Sequence, residues 1–166
     1  LRSIRALHGA DFAQSTFRGQ YEGYRQAKDV PPESNTATFA ALKLNVDNWR
    51  WNRVPFYLRS GKAMSCRTSQ IVIQFKEPPQ LLFGDGPRAN LDANKLVIQI
   101  QPAEGIQLHF QTKVPDAGMK LRMTDLNFSF QREFTGEMPD AYQRLLLDAM
   151  NGDASLFARS DEVELA

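Results

Sequence analysis

A chain of 166 residues that is 42% hydrophobic and 23% charged holds enough apolar material for one ordinary domain with a core. Twenty Lys and Arg against nineteen Asp and Glu leave a formal charge of +1, which excludes the strongly basic surface of a nucleic-acid binder. No run approaches the roughly 18 consecutive apolar residues of a membrane span, and Leu1-Arg2-Ser3-Ile4-Arg5 lacks the apolar stretch of a signal peptide.

The segment from Ile4 to Phe17 has a mixed pattern that fits either a short helix or irregular chain. Gln26 to Asn35, with Pro31-Pro32, reads as an exposed loop. Ala40, Leu42, Leu44 and Val46 then alternate with Ala41, Lys43 and Asn45, the period of a strand that buries one face. A second strand over Phe56 to Leu58 is predicted to end at Ser60-Gly61. Ile71, Ile73 and Phe75 mark a third, and Phe83 to Asn94, with Gly84, Gly86 and Pro87, reads as a loop. Leu96, Ile98 and Ile100 precede Ile106, Leu108 and Phe110, with only Pro102 to Gly105 between, which predicts an antiparallel hairpin. Leu121 and Met123 occupy odd positions whereas Leu126, Phe128 and Phe130 occupy even ones, so a bulge or a strand break is expected near Thr124-Asp125. Pro139-Asp140 opens a helix in which Tyr142, Leu145, Leu146, Ala149 and Met150 recur at helical spacing, and Asn151-Gly152 stops it. Many strands without alternating strand and helix units predict an α+β domain, a large mainly antiparallel sheet with helices packed on one side.

Several chemistries lack their residues. There is no glycine-rich dinucleotide or phosphate-loop motif. His8 and His109 lie far apart and Cys66 is the lone cysteine, so no metal site and no internal disulfide are expected. A single thiol suits a reducing compartment, and the cytoplasm is the expected one. His109, on the polar face of a predicted strand, reads as a solvated or hydrogen-bonded structural residue, and Cys66 as a passive loop thiol. The chain opens without Met, as a piece of a longer protein would.

The stretch from Asn48 to Arg67 concentrates Arg50, Arg53, Arg59, Lys62 and Arg67 with Trp49 and Trp51. Gly61 is expected to let the chain turn and project Lys62 from the sheet edge, where its ammonium offers three hydrogen bonds and Arg67 adds a planar fork. Such a pair suits a sugar hydroxyl cluster or a phosphate; a solvated cationic loop is the alternative. Trp49 and Trp51 suit packing or an interface.

Asp47-Asn48-Trp49-Arg50-Trp51 and Val54-Pro55-Phe56-Tyr57-Leu58-Arg59-Ser60-Gly61-Lys62 resemble the C-terminal domain of the glucose-6-phosphate dehydrogenase family, in which an Arg-x-Gly-Lys turn supplies a substrate-binding lysine. Arg18-Gly19-Gln20-Tyr21, Ser34 to Leu44, Phe75 to Pro79, Asn94 to Pro102, Pro139 to Asp148 and Gly152 to Glu162 resemble further family segments in order. The resemblance implies a segment 1–17 leading into a substrate-binding and dimerisation domain over 18–166. It implies an enzyme that oxidises glucose 6-phosphate with NADP in the oxidative pentose phosphate pathway and assembles as a homodimer or homotetramer. Lys62 matches the substrate lysine, Arg67 a second basic contact, and Gln101 a glutamine beside the same site. The family's general base and dinucleotide-binding half have no counterpart here, so NADP is expected mainly outside this chain, and the chain alone is expected to be inactive. Some members hold a second, structural NADP in this domain; Arg59 and Arg159 match that pattern, whereas Gln99, Gln107 and Asn127 depart from it, leaving the site unassigned. A different class of reading makes the chain a non-catalytic assembly or regulatory module related to the same domain; retained Lys62, Arg67 and Gln101 favour the enzyme.

Overall fold

The computed structural model describes residues 3–7, 9–77, 93–117, 120–134, 136 and 140–165. The chain divides into two compact units, Leu1–Ser65 with Pro139–Ala166, and Cys66–Met138. His8, Pro139 and the loop predicted over 83–94, apart from Ala93 and Asn94, lie outside the described residues.

In the first unit the opening segment is helical over α1 (Gly9–Ser15), which stops where the Thr16 hydroxyl donates back to the Phe12 carbonyl at 2.8 Å. The chain passes directly into β1 (Thr16–Gly19), and β2 (Phe39–Asn45) lies between β1 and β3 (Pro55–Gly61), antiparallel to both. The alternation sets this register: Leu42 faces Leu58 and Leu44 faces Phe56 across β2 and β3. Phe39 has Gly19 opposite on one side and Gly61 on the other, and its ring meets Phe17 edge-on at 6.0 Å. In the loop before β3, Asn48 Oδ1 accepts from the Trp51 N–H at 2.8 Å and the Trp51 ring packs edge-on against Phe56 at 5.3 Å. Trp49, by contrast, is 93% exposed.

The far end of β2 is tied to the start of the chain. The Arg5 N–H donates to the Asn45 carbonyl, the Asp47 N–H to the Ser3 carbonyl, and the Arg5 guanidinium grips the Asp47 carboxylate at 2.6 and 2.9 Å. Those charge-assisted hydrogen bonds hold the Asp47 carboxyl below the ordinary carboxylate range.

The predicted helix is α3 (Ala141–Met150). Asp140 is its cap, accepting from the Tyr142 N–H at 3.1 Å, and Gly152 supplies the left-handed stop at φ 70°. Tyr142, Leu146 and Met150 stand exposed along it, while Asp148 is buried and takes the Arg144 Nε at 3.0 Å one turn back. A final short helix, α4 (Ser160–Glu164), follows.

The second unit is a meander of β4 (Ser69–Gln74), β5 (Lys95–Gln101), β6 (Gly105–Lys113) and β7 (Leu121–Ser129), with the one-turn α2 (Phe130–Glu133) after it. The hairpin predicted at Pro102 to Gly105 is the β5–β6 connection. Ile73, Leu96, Leu108 and Leu126 form one cross-strand row, and Ile71, Ile98, Ile106 and Phe128 the next. The opposite face is polar at Gln74, Lys95, His109 and Asp125. Among the described residues no apolar side chain is fully buried, and Ile71, Ile73, Ile106, Leu126 and Phe128 are exposed.

The α+β class and the antiparallel order hold: the described strands form a three-stranded and a four-stranded antiparallel sheet, and α1 packs against β1 and β2. Alternation specifies which face of a strand is apolar but says nothing of which strands share hydrogen bonds. The bulge or break expected near Thr124-Asp125 is absent: β6 and β7 pair without interruption from Gly105 opposite Ser129 to Lys113 opposite Leu121. β7 instead carries apolar groups on both faces, Leu121 and Met123 on one and Leu126 and Phe128 on the other. The irregularity of this sheet falls between Ser69 and Gln70.

Two measurements follow from this geometry. A Cβ at Gly105 would lie 2.6 Å from the Phe128 carbonyl oxygen, a backbone atom, whereas one at Gly136 would meet nothing within 4 Å. In urea unfolding of the full-length protein, Gly105→Ala is expected to cost about 1–3 kcal/mol and Gly136→Ala to be near neutral. The Arg5–Asp47 pair stabilises fully above the ordinary aspartate value of about 3.9 and is lost as pH falls through the depressed folded value. NMR titration of the Asp47 carboxyl should give a midpoint below that of a free aspartate, returning upward in Arg5→Ala; an unchanged midpoint in that variant would refute the pairing.

Candidate functional site

Lys62 leaves the end of β3 exposed, with its backbone N–H donating to the Thr38 carbonyl at 2.8 Å. The turn beyond it is not made by glycine freedom, as expected from the sequence. Gly61 is the last paired residue of β3, opposite Phe39, and the left-handed residue is Ala63 at φ 53°. Glycine is needed at 61 for close approach: a Cβ there would lie 2.8 Å from Phe39 Cδ2 and 3.3 Å from the Thr38 carbonyl oxygen.

Lys62 borders a cleft of about 390 Å³ together with Tyr21, Tyr24, Thr36, Thr38 and Ser60. The Tyr21 and Tyr24 rings meet edge-on at 5.5 Å. Thr38, buried at 9% exposure, accepts the Tyr21 N–H on its hydroxyl at 2.9 Å and donates its own N–H to the Gly19 carbonyl at 2.9 Å. Gln20 secures the neighbouring loop, its amide donating to the Ser34 and Thr36 carbonyls at 2.8 and 3.0 Å while Arg25 Nε donates to its Oε1 at 3.1 Å. Lys62 and the hydroxyl-bearing side chains share the lining with Ala37, Phe39 and Ala40, a mixed polar and apolar surface on which a small polyhydroxylated anion could find hydrogen-bond donors.

Arg67 and Gln101 belong to the second unit, at one end of its sheet. The hydroxyl of Thr68, next to Arg67, donates to the Gln101 carbonyl at 3.0 Å and accepts from Gln99 Nε2 at 3.2 Å. The structure brings these two candidates together, both exposed, and holds Lys62 in the first unit. Tyr21, Thr38 and Gln20 were not singled out by role in the sequence. No periodicity marks them; the signal available was a run of small polar residues, Thr36 to Thr38, directly before an alternating strand.

The residues matched to a second NADP do not suit one. Arg59 is exposed on β3 opposite Ala41, but Arg159 is occupied by a two-pronged pair with Asp161 at 3.0 and 3.1 Å. Gln99, at a position that is basic in the family pattern, donates to Thr68, and Gln107 and Asn127, at aromatic and acidic positions of that pattern, face each other across β6 and β7. His109 Nδ1 lies 2.7 Å from Asp125 Oδ1, the hydrogen-bonded structural role expected of it. Cys66 is exposed and unpaired. Among the described residues no three His, Cys, Asp or Glu side chains gather as metal ligands, and no helix is long and apolar enough to cross a membrane.

The described residues form antiparallel sheets with few helices and a lysine-bordered cleft in the first unit, and comparison with known proteins gives the family. The family described as glucose-6-phosphate dehydrogenase, C-terminal domain, matches residues 1–166. The chain belongs to this family. Glucose-6-phosphate 1-dehydrogenase of Aggregatibacter actinomycetemcomitans is 42% identical over 176 residues, covering 100% of this chain and 35% of the relative. The chloroplastic glucose-6-phosphate 1-dehydrogenase 1 of Arabidopsis thaliana is 42% identical over 174 residues, covering 100% of this chain and 30% of the relative. A crystal structure of the Mycobacterium avium glucose-6-phosphate 1-dehydrogenase superposes with a TM-score of 0.77 at 33% identity over 98% of this chain and 33% of that one. A glucose-6-phosphate dehydrogenase in complex with its substrate glucose 6-phosphate superposes with a TM-score of 0.82 at 31% identity over 97% of this chain and 33% of that one. The chain thus spans about a third of the length of these relatives.

Because Gly61 is crowded by the Phe39 ring, Gly61→Ala is expected to destabilise the full-length protein by about 1–3 kcal/mol, whereas Ser60→Ala at the exposed neighbouring position should stay within about 0.5 kcal/mol. Equal urea midpoints for the two variants would contradict the crowding.

Proposed function

We propose that the full-length protein oxidises glucose 6-phosphate at C1 with NADP and releases 6-phosphoglucono-lactone in the oxidative pentose phosphate pathway. NADP, when bound, accepts the C1 hydride, and its seat lies mainly outside this chain. Residues 18–166 serve as the substrate-binding and dimerisation domain, with 1–17 leading into it. Lys62, Arg67 and Gln101 bind sugar-phosphate oxygens: the ammonium and guanidinium offset negative charge, and the Gln101 amide orients hydroxyls. The observation that carries this reading is the cleft bordered by Lys62 in a chain of this family.

The rest of the proposal concerns assembly. The two apolar rows on the β4 to β7 sheet, with five of their side chains exposed, support a homodimer or homotetramer in which this sheet is covered. The single unpaired thiol supports a cytoplasmic setting.

Steady-state kinetics of the full-length enzyme, each substrate varied separately, tests the site. Lys62→Ala removes a charge-assisted contact worth on the order of 1.5–3 kcal/mol, so kcat/KM for glucose 6-phosphate should fall roughly ten- to a hundredfold, with KM for NADP nearly unchanged. Arg67→Ala should act in the same direction, and the double variant should lose less than the sum where the two share one ligand. A Lys62→Ala enzyme that lost NADP affinity and kept sugar-phosphate affinity would overturn the assignment.

A further inference from the structure

We propose that Thr38 is the positioning residue for Lys62, an inference that rests on the substrate role assigned to Lys62 above. The only strand-type anchor for the Lys62 backbone given by the described hydrogen bonds is the Thr38 carbonyl, which accepts its N–H at 2.8 Å one residue beyond the last β2–β3 pair. That carbonyl is held in turn. The Thr38 N–H is fastened to the Gly19 carbonyl at 2.9 Å, and the Thr38 hydroxyl accepts the Tyr21 N–H at 2.9 Å, so residue 38 is fixed against the chain on its other side. Thr38 is also one of two buried polar or charged residues among those described, and it lines the same cleft as Lys62.

Among the described residues no other hydrogen bond holds Lys62. The Lys62 side chain is exposed, and Ala63 follows it in a left-handed conformation that an alanine adopts only when its surroundings impose it. Gly61 lets the Thr38 carbonyl approach, since a Cβ there would sit 3.3 Å from it. A long, flexible lysine contributes to binding in proportion to how well its base is located, because every degree of freedom left to it must be surrendered on contact with the ligand. Thr38 therefore acts on substrate affinity through Lys62 and leaves the chemistry of hydride transfer untouched.

The test uses the full-length enzyme. Thr38→Val keeps the branched shape and removes the acceptor for the Tyr21 N–H; it is expected to raise KM for glucose 6-phosphate roughly three- to tenfold, with kcat and KM for NADP within about twofold. Thr38→Ser restores the hydroxyl and should return KM to within about twofold of the parent. Thr38→Cys, of similar size and a weak acceptor, should fall between them and serves where the valine variant does not accumulate. In a Lys62→Ala background Thr38→Val should add nothing to KM. An unchanged KM in the valine or cysteine variant, an equal rise with and without Lys62, or a serine variant as impaired as valine would overturn the inference. A Lys62→Ala enzyme with normal KM for glucose 6-phosphate would instead overturn the substrate reading on which it rests.

Discussion

Three hydrogen bonds meet at Thr38, and the first unit's geometry depends on them. Its N–H reaches Gly19 at the end of β1, its hydroxyl receives the Tyr21 N–H, and its carbonyl receives the Lys62 N–H at the end of β3. Three separate stretches of chain are thus referred to one residue. A buried polar group without partners is costly, so burying Thr38 stabilises the arrangement only while all three connections exist. The knot sits where the sheet stops: the next residue, Phe39, is the first of β2, flanked by Gly19 and Gly61. Glycines on both sides let the strands approach and let the Phe39 ring cover them, so tight backbone packing at the sheet end and placement of Lys62 share one cause.

The elements that sequence reasoning found were those carrying their signal locally. Period-two alternation located β2, β5 and β6, and the short Pro102 to Gly105 link announced an antiparallel pair. Asp140 and Gly152 marked the ends of α3 because capping depends on individual residue types. What escaped was nonlocal. The order in which strands pair depends on hydrogen bonds between distant residues, and the β7 parity change depended on whether both faces of that strand accept apolar groups. Neither is written in a window of ten residues.

The candidate site was legible to different degrees for a similar reason. Lys62 was read as projecting from the sheet edge after Ser60-Gly61, and its role, like those of Arg67 and Gln101, followed from the family segments. Gly61 was identified correctly as necessary, for the wrong reason: it clears space, and Ala63 makes the turn. Thr38 and Tyr21 were silent because a threonine before a strand and a tyrosine in a loop are common, and their importance arises only when chain segments seventeen residues apart hydrogen-bond. A domain whose described apolar side chains all retain solvent contact is also beyond the reach of composition. The 42% hydrophobic content suggested a self-contained core, but among the described residues apolar side chains are distributed over sheet faces and along α3, where many stay exposed.

β4 exposes a further consequence of that distribution. Among the described residues it pairs with β5 alone, and its Ile71-Val72-Ile73 side chains are 50%, 50% and 42% exposed. An outer strand of three consecutive β-branched residues, free of proline and charge from Ser69 to Gln74, is a template for strand addition. Where nothing covers that edge, residues 69–74 are the place at which intermolecular β-sheet growth is expected to start.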